Sequence, residues 1–353
     1  MEGNGHNTSA FLPGGGRRRA KAPLRPFILL LILISAVALT VTSAGCGSAS
    51  QPPREDDFLI SLADAVDTGR MLRDIEYMAG EELRGRPAGS PESSELEAFL
   101  EQRLVELGLE PVDELGLSGY RQEFPVPTER CFLESPPEGA TLTCANVLGE
   151  IPGEDGGELV VLTANYDGLG VDAATGEFYP GADYNASGAA AVLELARILS
   201  STDERPRDTI VFALMGAEEC GGYGSSALAE ALESGGFKSG AHVINLEGLG
   251  AGEGGYMDVW DLNYRKNRPT VEALDEAASM LGVTLELGGA DPGTSAATFF
   301  LHHLPAVTCD WSWFERDEHP DFHLPSDTPD RLREEGLRAV TGVAAVAAWM
   351  LAG

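Results

Sequence analysis

The sequence predicts an α/β fold of three layers, α/β/α, around a central mixed, mostly parallel sheet. Three observations carry the prediction. From Leu159 onward, short apolar runs rich in β-branched residues alternate with stretches of helical period. Those runs are continuous rather than alternating, as in strands buried on both faces. Finally, Asn165 and Asp167, Glu218 and Glu219, and Glu247 each follow a predicted strand, and parallel strands bring such ends to one edge of a sheet.

Taken in order, Phe58–Met78 carries apolar residues at helical spacing and reads as one helix. Gly85–Pro91 is a turn, and Ser90 or Ser93 caps a helix over Glu95–Leu107 that stops at Gly108. Tyr120–Val126 and Thr141–Glu150 alternate enough to form a hairpin or edge pair. Leu159–Ala164 is the first buried strand. A Gly-rich loop follows, in which Asn185 or Ser187 caps the helix Ala189–Leu199. The strand Asp208–Met215 stops at Gly216, ahead of Glu218 and Glu219, and Ser225–Leu232 is the next helix. Then come strands at His242–Leu246 and Tyr256–Trp260, a helix at Pro269–Leu281, and strands at Val283–Leu287 and Leu304–Cys309. A polar loop with His319 and His323 leads to the last helix, Arg331–Leu351. There is no internal repeat, so residues 54–353 form one domain.

What precedes that domain reads as an address. Arg17, Arg18, Arg19, Lys21 and Arg25 are followed by the apolar run Phe27–Val41 and by the small residues Ser43, Ala44, Gly45 and Cys46. This is the order of a secretory signal, and its ending resembles a bacterial lipoprotein signal in which Cys46 is lipidated. An uncleaved signal anchor is the other reading. Residues 1–46 are thus the signal and residues 47–56 a tether, with the body outside the cytoplasm and held at the membrane by a lipid or by the signal itself. The chain of 353 residues has a net charge of -32, which argues against nucleic acid and anionic lipid as partners. Four further cysteines in an oxidising compartment permit two disulfides. The expected pairs are Cys131 with Cys144, across a Pro/Gly-rich turn, and Cys220 with Cys309, at neighbouring strand ends.

Strand-end carboxylates together with an imidazole are the residue types that hold zinc, and a non-ligating Glu beside them serves as general base. The competing reading of Glu218 and Glu219 alone is a solvated acidic loop. His302 and His303 read as surface residues, and His319 as a loop residue near His323. Trp311, Trp313 and Phe314 suit either core packing or a pocket wall.

These motifs carry a resemblance. From Arg84-Gly85-Arg86-Pro87-Ala88-Gly89-Ser90 through Asn146-Val147, Ala164–Gly170, Gly181–Gly188, Ala217–Ser225 and Asn245–Gly250 to Phe322–Leu332, the chain resembles the secreted dinuclear-zinc aminopeptidases. Glutaminyl cyclases and non-catalytic relatives belong to the same family. The resemblance implies a zinc-exopeptidase-like fold, with Glu218 at the general-base position and Glu219, Glu247 and His323 at retained metal positions. It also implies two substitutions. Asn165 stands where the family has a ligating His, with Asp167 as its orienting partner. Tyr184 stands where the family has the Asp that bridges both zincs, and Asp183 is its neighbour. Thr294-Ser295-Ala296 replaces a Ser-Asp-His segment.

A Tyr is neutral near pH 7, and an amide is a poor zinc ligand beside an imidazole. The retained positions therefore imply no zinc or one weakly held zinc, and argue against two. Two functions compete. One is a non-catalytic or strongly impaired homologue that binds a peptide or an envelope protein. The other is an active exopeptidase or cyclase-like enzyme with a single zinc and Glu218 as general base.

Overall fold

The structure, a computed structural model, describes residues 55–127, 141–155, 157–238, 240–250, 255–289, 293–311 and 321–353. The expected signal with Cys46, the tether up to residue 54, Cys131, Trp313, Phe314 and His319 lie outside the described residues.

The strands are β1 (Arg121–Pro127), β2 (Thr141–Ile151), β3 (Leu159–Asn165), β4 (Gly170–Val171), β5 (Phe178–Tyr179), β6 (Thr209–Met215), β7 (Ala241–Leu246), β8 (Met257–Asp261), β9 (Leu285–Gly288) and β10 (Ala306–Trp311). Eight of them form one sheet in the order β1-β2-β6-β3-β7-β10-β8-β9, while β4 and β5 make a separate pair. The middle of the sheet, β6-β3-β7-β10, is parallel; β1, β2 and β8 run against their inner neighbours. Every residue of β3, β6 and β7 is buried, which is why these segments read as unbroken apolar runs.

Among the described residues, eight α-helices cover the sheet: α1 (Glu55–Asp64), α2 (Thr68–Met78), α3 (Pro91–Glu106), α4 (Gly188–Ser200), α5 (Tyr223–Ser234), α6 (Tyr264–Leu281), α7 (Ser295–Leu301) and α8 (Glu334–Ala352). Strand parity divides the core. Ile210, Phe212 and Leu214 of β6 pack into a large cluster with α1–α4, α6 and α8, whereas Val211, Ala213 and Met215 face α5 and α7. The helix α8 is long and apolar enough to suggest a span, but it is mostly buried and packs as a core helix.

Three expectations are corrected. The helix expected over Phe58–Met78 is two helices, because Asp67 interrupts it and accepts the Arg70 amide at 3.0 Å as the cap of α2. The segment Ser295–Leu301 is a helix that the sequence reading did not include. Cys220 and Cys309 are not joined. Cys309 is a free, buried thiol whose pKa burial pushes up, and it packs with Val307 and Trp311 in the large cluster. Cys220 packs elsewhere, with Phe124, Val126 and Cys144. The parity of β10 sends its odd-numbered side chains to the α8 face, away from Cys220. Trp311 is likewise core, lying where Gly336 of α8 leaves room for its ring.

Candidate functional site

Register brings the expected residues together. Asn165 is level with Met215 across β3 and β6, and Thr163 with Asn245 across β3 and β7. The residues just past these ends therefore meet at one edge. After β6 the chain must turn sharply, and Gly216 makes this possible. A Cβ there would come within 2.5 Å of the Tyr166 hydroxyl oxygen and 2.6 Å of the Ala145 carbonyl oxygen. Ala217 then adopts a left-handed φ of 59°, uncommon for a residue with a side chain, and His323 does the same at 55°.

Asp167 holds the acidic turn in place. Fully buried, it accepts the amides of Glu218 and Glu219, each at 3.1 Å. Burial and then the neighbouring Glu219 and Glu218 raise its pKa well above the usual carboxylate range. Asn165 is absorbed into the scaffold. Its amide nitrogen donates to the Asp167 carbonyl at 3.3 Å, and its side-chain oxygen accepts the Asn185 amide at 2.9 Å. Asn185 also donates to the Leu246 carbonyl and accepts the Gly188 amide at 3.1 Å, so it, rather than Ser187, serves the start of α4.

Both oxygens of Glu218 are engaged, one by the Ser225 amide at 2.6 Å and the other by the Ser295 hydroxyl at 2.7 Å. Burial raises its pKa. Glu247 accepts the Asn245 side-chain amide at 2.7 Å and the Ser295 amide at 3.2 Å, and burial pushes its pKa up to about 7. Its other oxygen receives the Tyr184 hydroxyl at 3.4 Å. Glu219 meets the His323 imidazole at 3.4 Å.

The loop with Asp183 and Tyr184 is set by a residue far along the chain. Asp327 accepts the amides of both, at 2.9 and 3.0 Å. The Asp183 carboxylate turns inward to the Gly250 amide at 2.7 Å. The Tyr184 ring goes the other way, into the pocket, edge-on to Phe322 with centroids 4.4 Å apart and 6.1 Å from the His323 ring. Phe322 in turn stacks on His323 at 3.8 Å. The result is a pocket of about 270 Å³ lined by Asn165, Tyr184, Glu218, Glu219, Glu247 and His323, with Ser295, Thr298 and Phe322 among its walls.

Sequence reasoning missed the roles of Asp327, Phe322 and Arg86. Arg86 is fully buried and donates to the carbonyls of Tyr166, Met78, Pro180 and Gly181. It ties the end of β3 to the loop before Tyr184 and places a cation beneath the acids, although burial lowers its pKa to about 10. A single Arg inside a Gly/Pro turn of a very acidic chain was the available signal. His302 pairs with Glu233 at 3.3 Å, and neither it nor His303 lines the pocket.

Would these residues hold zinc? A catalytic zinc uses three protein ligands in a tetrahedron with bonds of about 2.1 Å, which places neighbouring ligands about 3.4 Å apart. Glu219 and His323 match that spacing. Glu247 has the Tyr184 phenol against it. Among the described residues no three His, Cys, Asp or Glu side chains converge as a metal-binding group. Glu219 and His323 thus stand at ligand spacing, with the Tyr184 phenol beside Glu247.

Comparison with known proteins places the chain. It is similar to a Pyrenophora teres f. teres protein described as "Probable zinc metalloprotease", 32% identical over 152 residues, or 42% of this chain and 31% of that one. Aminopeptidase YwaD of Bacillus subtilis is 29% identical over 188 residues, 51% of this chain and 38% of the relative. The match thus spans about a third of the length of these curated relatives. Among solved structures, a zinc aminopeptidase from Bacillus subtilis superposes with a TM-score of 0.66 at 17% identity, covering 80% of this chain and 95% of that one. Porphyromonas gingivalis glutaminyl cyclase gives 0.63 at 19% identity, covering 80% and 97%. At such identities these two likenesses show the fold. The sequence profile of peptidase family M28 matches residues 146–348, more than half of the chain and all of its parallel sheet, and the chain belongs to peptidase family M28.

Proposed function

We propose that this M28-family protein is a non-catalytic or strongly impaired peptidase homologue that acts by binding. The observation that carries the reading is the position of Tyr184: its ring takes up the ground between Glu247 and His323, while Asp183 is turned away to Gly250. The ligand is a peptide or an envelope protein, received in a pocket with three glutamates. The N-terminal leader supports an extracytoplasmic protein anchored at the membrane through Cys46 or through the leader itself.

The test is the zinc content of the purified full chain, by elemental mass spectrometry after dialysis against trace zinc, with hydrolysis of aminoacyl-nitroanilides measured in parallel. Less than about a tenth of an equivalent of zinc is expected, with no hydrolysis above background. A second reading, the single-zinc exopeptidase, draws on the 3.4 Å approach of Glu219 and His323. One firmly held zinc, with hydrolysis that Glu218→Gln abolishes, would establish it and overturn the first.

A further inference from the structure

At the end of the sheet away from the pocket, one oxygen of buried Glu150 and one of half-buried Glu114 are enclosed with no hydrogen-bond partner. The strand β1 begins opposite Val147, so β2 continues past it unpaired on that side. Glu110 fills the gap: its amide donates to the Glu150 carbonyl at 3.0 Å and its carbonyl accepts the Glu150 amide at 2.8 Å. The chain then turns through Asp113–Leu115, and Val112, Leu115 and Leu117 pack on Leu148 and Leu159. Within this arrangement Glu150 is only 3% exposed. One of its oxygens accepts the Asp113 amide at 3.4 Å, and one oxygen of Glu114 accepts the Thr209 hydroxyl at 3.2 Å. The remaining oxygen of each is buried with no donor within reach.

Two buried carboxylate oxygens of this kind are costly unless a hydrogen-bond donor or a cation lies between them. We infer that Glu114 and Glu150 share one proton, and that this proton latches the 110–117 segment onto β2. The surroundings contain little to neutralise a second charge. Asp113 adds to the repulsion. At the start of β6, Arg207 is exposed and directed to Asp208 at 3.6 Å. On α5, which covers this face, Glu230 is exposed and Glu233 pairs with Lys238. Glu150 holds the proton: burial, then the hydrogen bond and charge of Glu114, push its pKa up to about 9. Burial opposes ionisation of Glu114 as well, but the hydrogen bonds from Glu150, its own amide and Thr209 outweigh it and draw its pKa below the ordinary value.

The sign follows from linkage. An acid whose folded-state pKa is raised favours the protonated fold. Its contribution is complete below the unfolded value near 4.5 and drains away as pH rises toward about 9. One such proton makes the unfolding equilibrium constant rise by up to about tenfold per pH unit across that window.

The experiment is urea unfolding of the full chain and of Glu150→Gln between pH 5 and 9, with infrared spectra of the carboxyl region. Gln places an N–H where the proton sits, so the variant should fold, lose about one proton from the pH slope, and lose one protonated-carboxyl band at pH 7. Glu114→Gln, which offers an N–H to Glu150, should flatten the slope in the same way. Coincident slopes, an unchanged infrared difference, or failure of both isosteric variants to fold would overturn the inference. Stabilisation of the parent chain, but not of Glu150→Gln, by sodium or calcium would also overturn it, since a cation rather than a proton would then join the pair.

Discussion

Asp183 and Tyr184 are neighbours with opposite fates, and the cause is Asp327. By taking both amides it sets the backbone so that the acid faces Gly250 and the phenol faces the pocket. The Gly-rich motif around Tyr184 was legible in the sequence. The direction of Asp183 was not, since its determinant lies 144 residues away. If the ring is what keeps metal out, Tyr184→Asp should remove the wedge and add a carboxylate among Glu219, Glu247 and His323. Zinc uptake should then rise to about one equivalent or more, with a zinc-dependent increase in Tm that EDTA reverses. Tyr184→Asn clears the same space without the charge and should stay metal-free. A folded Tyr184→Asp chain without zinc would show that the ring is not the barrier. Ser295 adds a second lesson. Its hydroxyl and amide satisfy Glu218 and Glu247, so the acids are bonded internally without a metal.

Elements were legible where their period was long and their punctuation clear. The strands β3, β6 and β7 lie within a residue of their expected ends, because their continuous apolar runs admit few alternatives. The start of α3 was left between two serines. Ser90 is the cap, accepting the Ser93 amide at 3.0 Å with Pro91 directly after it, where a missing N–H costs nothing. Ser90→Ala should therefore lower stability by about 1 kcal/mol. The urea midpoint should fall with an unchanged slope, whereas no change in midpoint would mean that the hydroxyl bond is replaced by water. Helix α7 escaped notice because it spans only seven residues and its apolar side chains divide between core and solvent. Phe299 is fully buried and Leu301 is 74% exposed. Such a run has no face to read.

On the scale of the whole molecule, the chain carries a net charge of -32 and its fold buries several acids. Self-repulsion opposes the compact state and is screened by salt. The Tm should rise by several degrees between about 10 mM and 0.5 M sodium chloride, where the screening length shortens from about 30 Å to a few Å. A Tm indifferent to salt would mean that local ion pairs, such as Arg103 with Asp74 and Arg121 with Glu97, already balance the field. Local pattern was enough for the α/β class, the chain order of the eight strands of the large sheet and the family, because periods of two and 3.6 residues and short motifs are properties of contiguous chain. Partners distant in sequence were needed for the rest. Strand parity sends Cys309 away from Cys220, Asp327 selects Tyr184 over Asp183 for the pocket, and Arg86 gathers four carbonyls from three segments. Each depends on which side chain meets which across the fold, and only packing brings those pairs together.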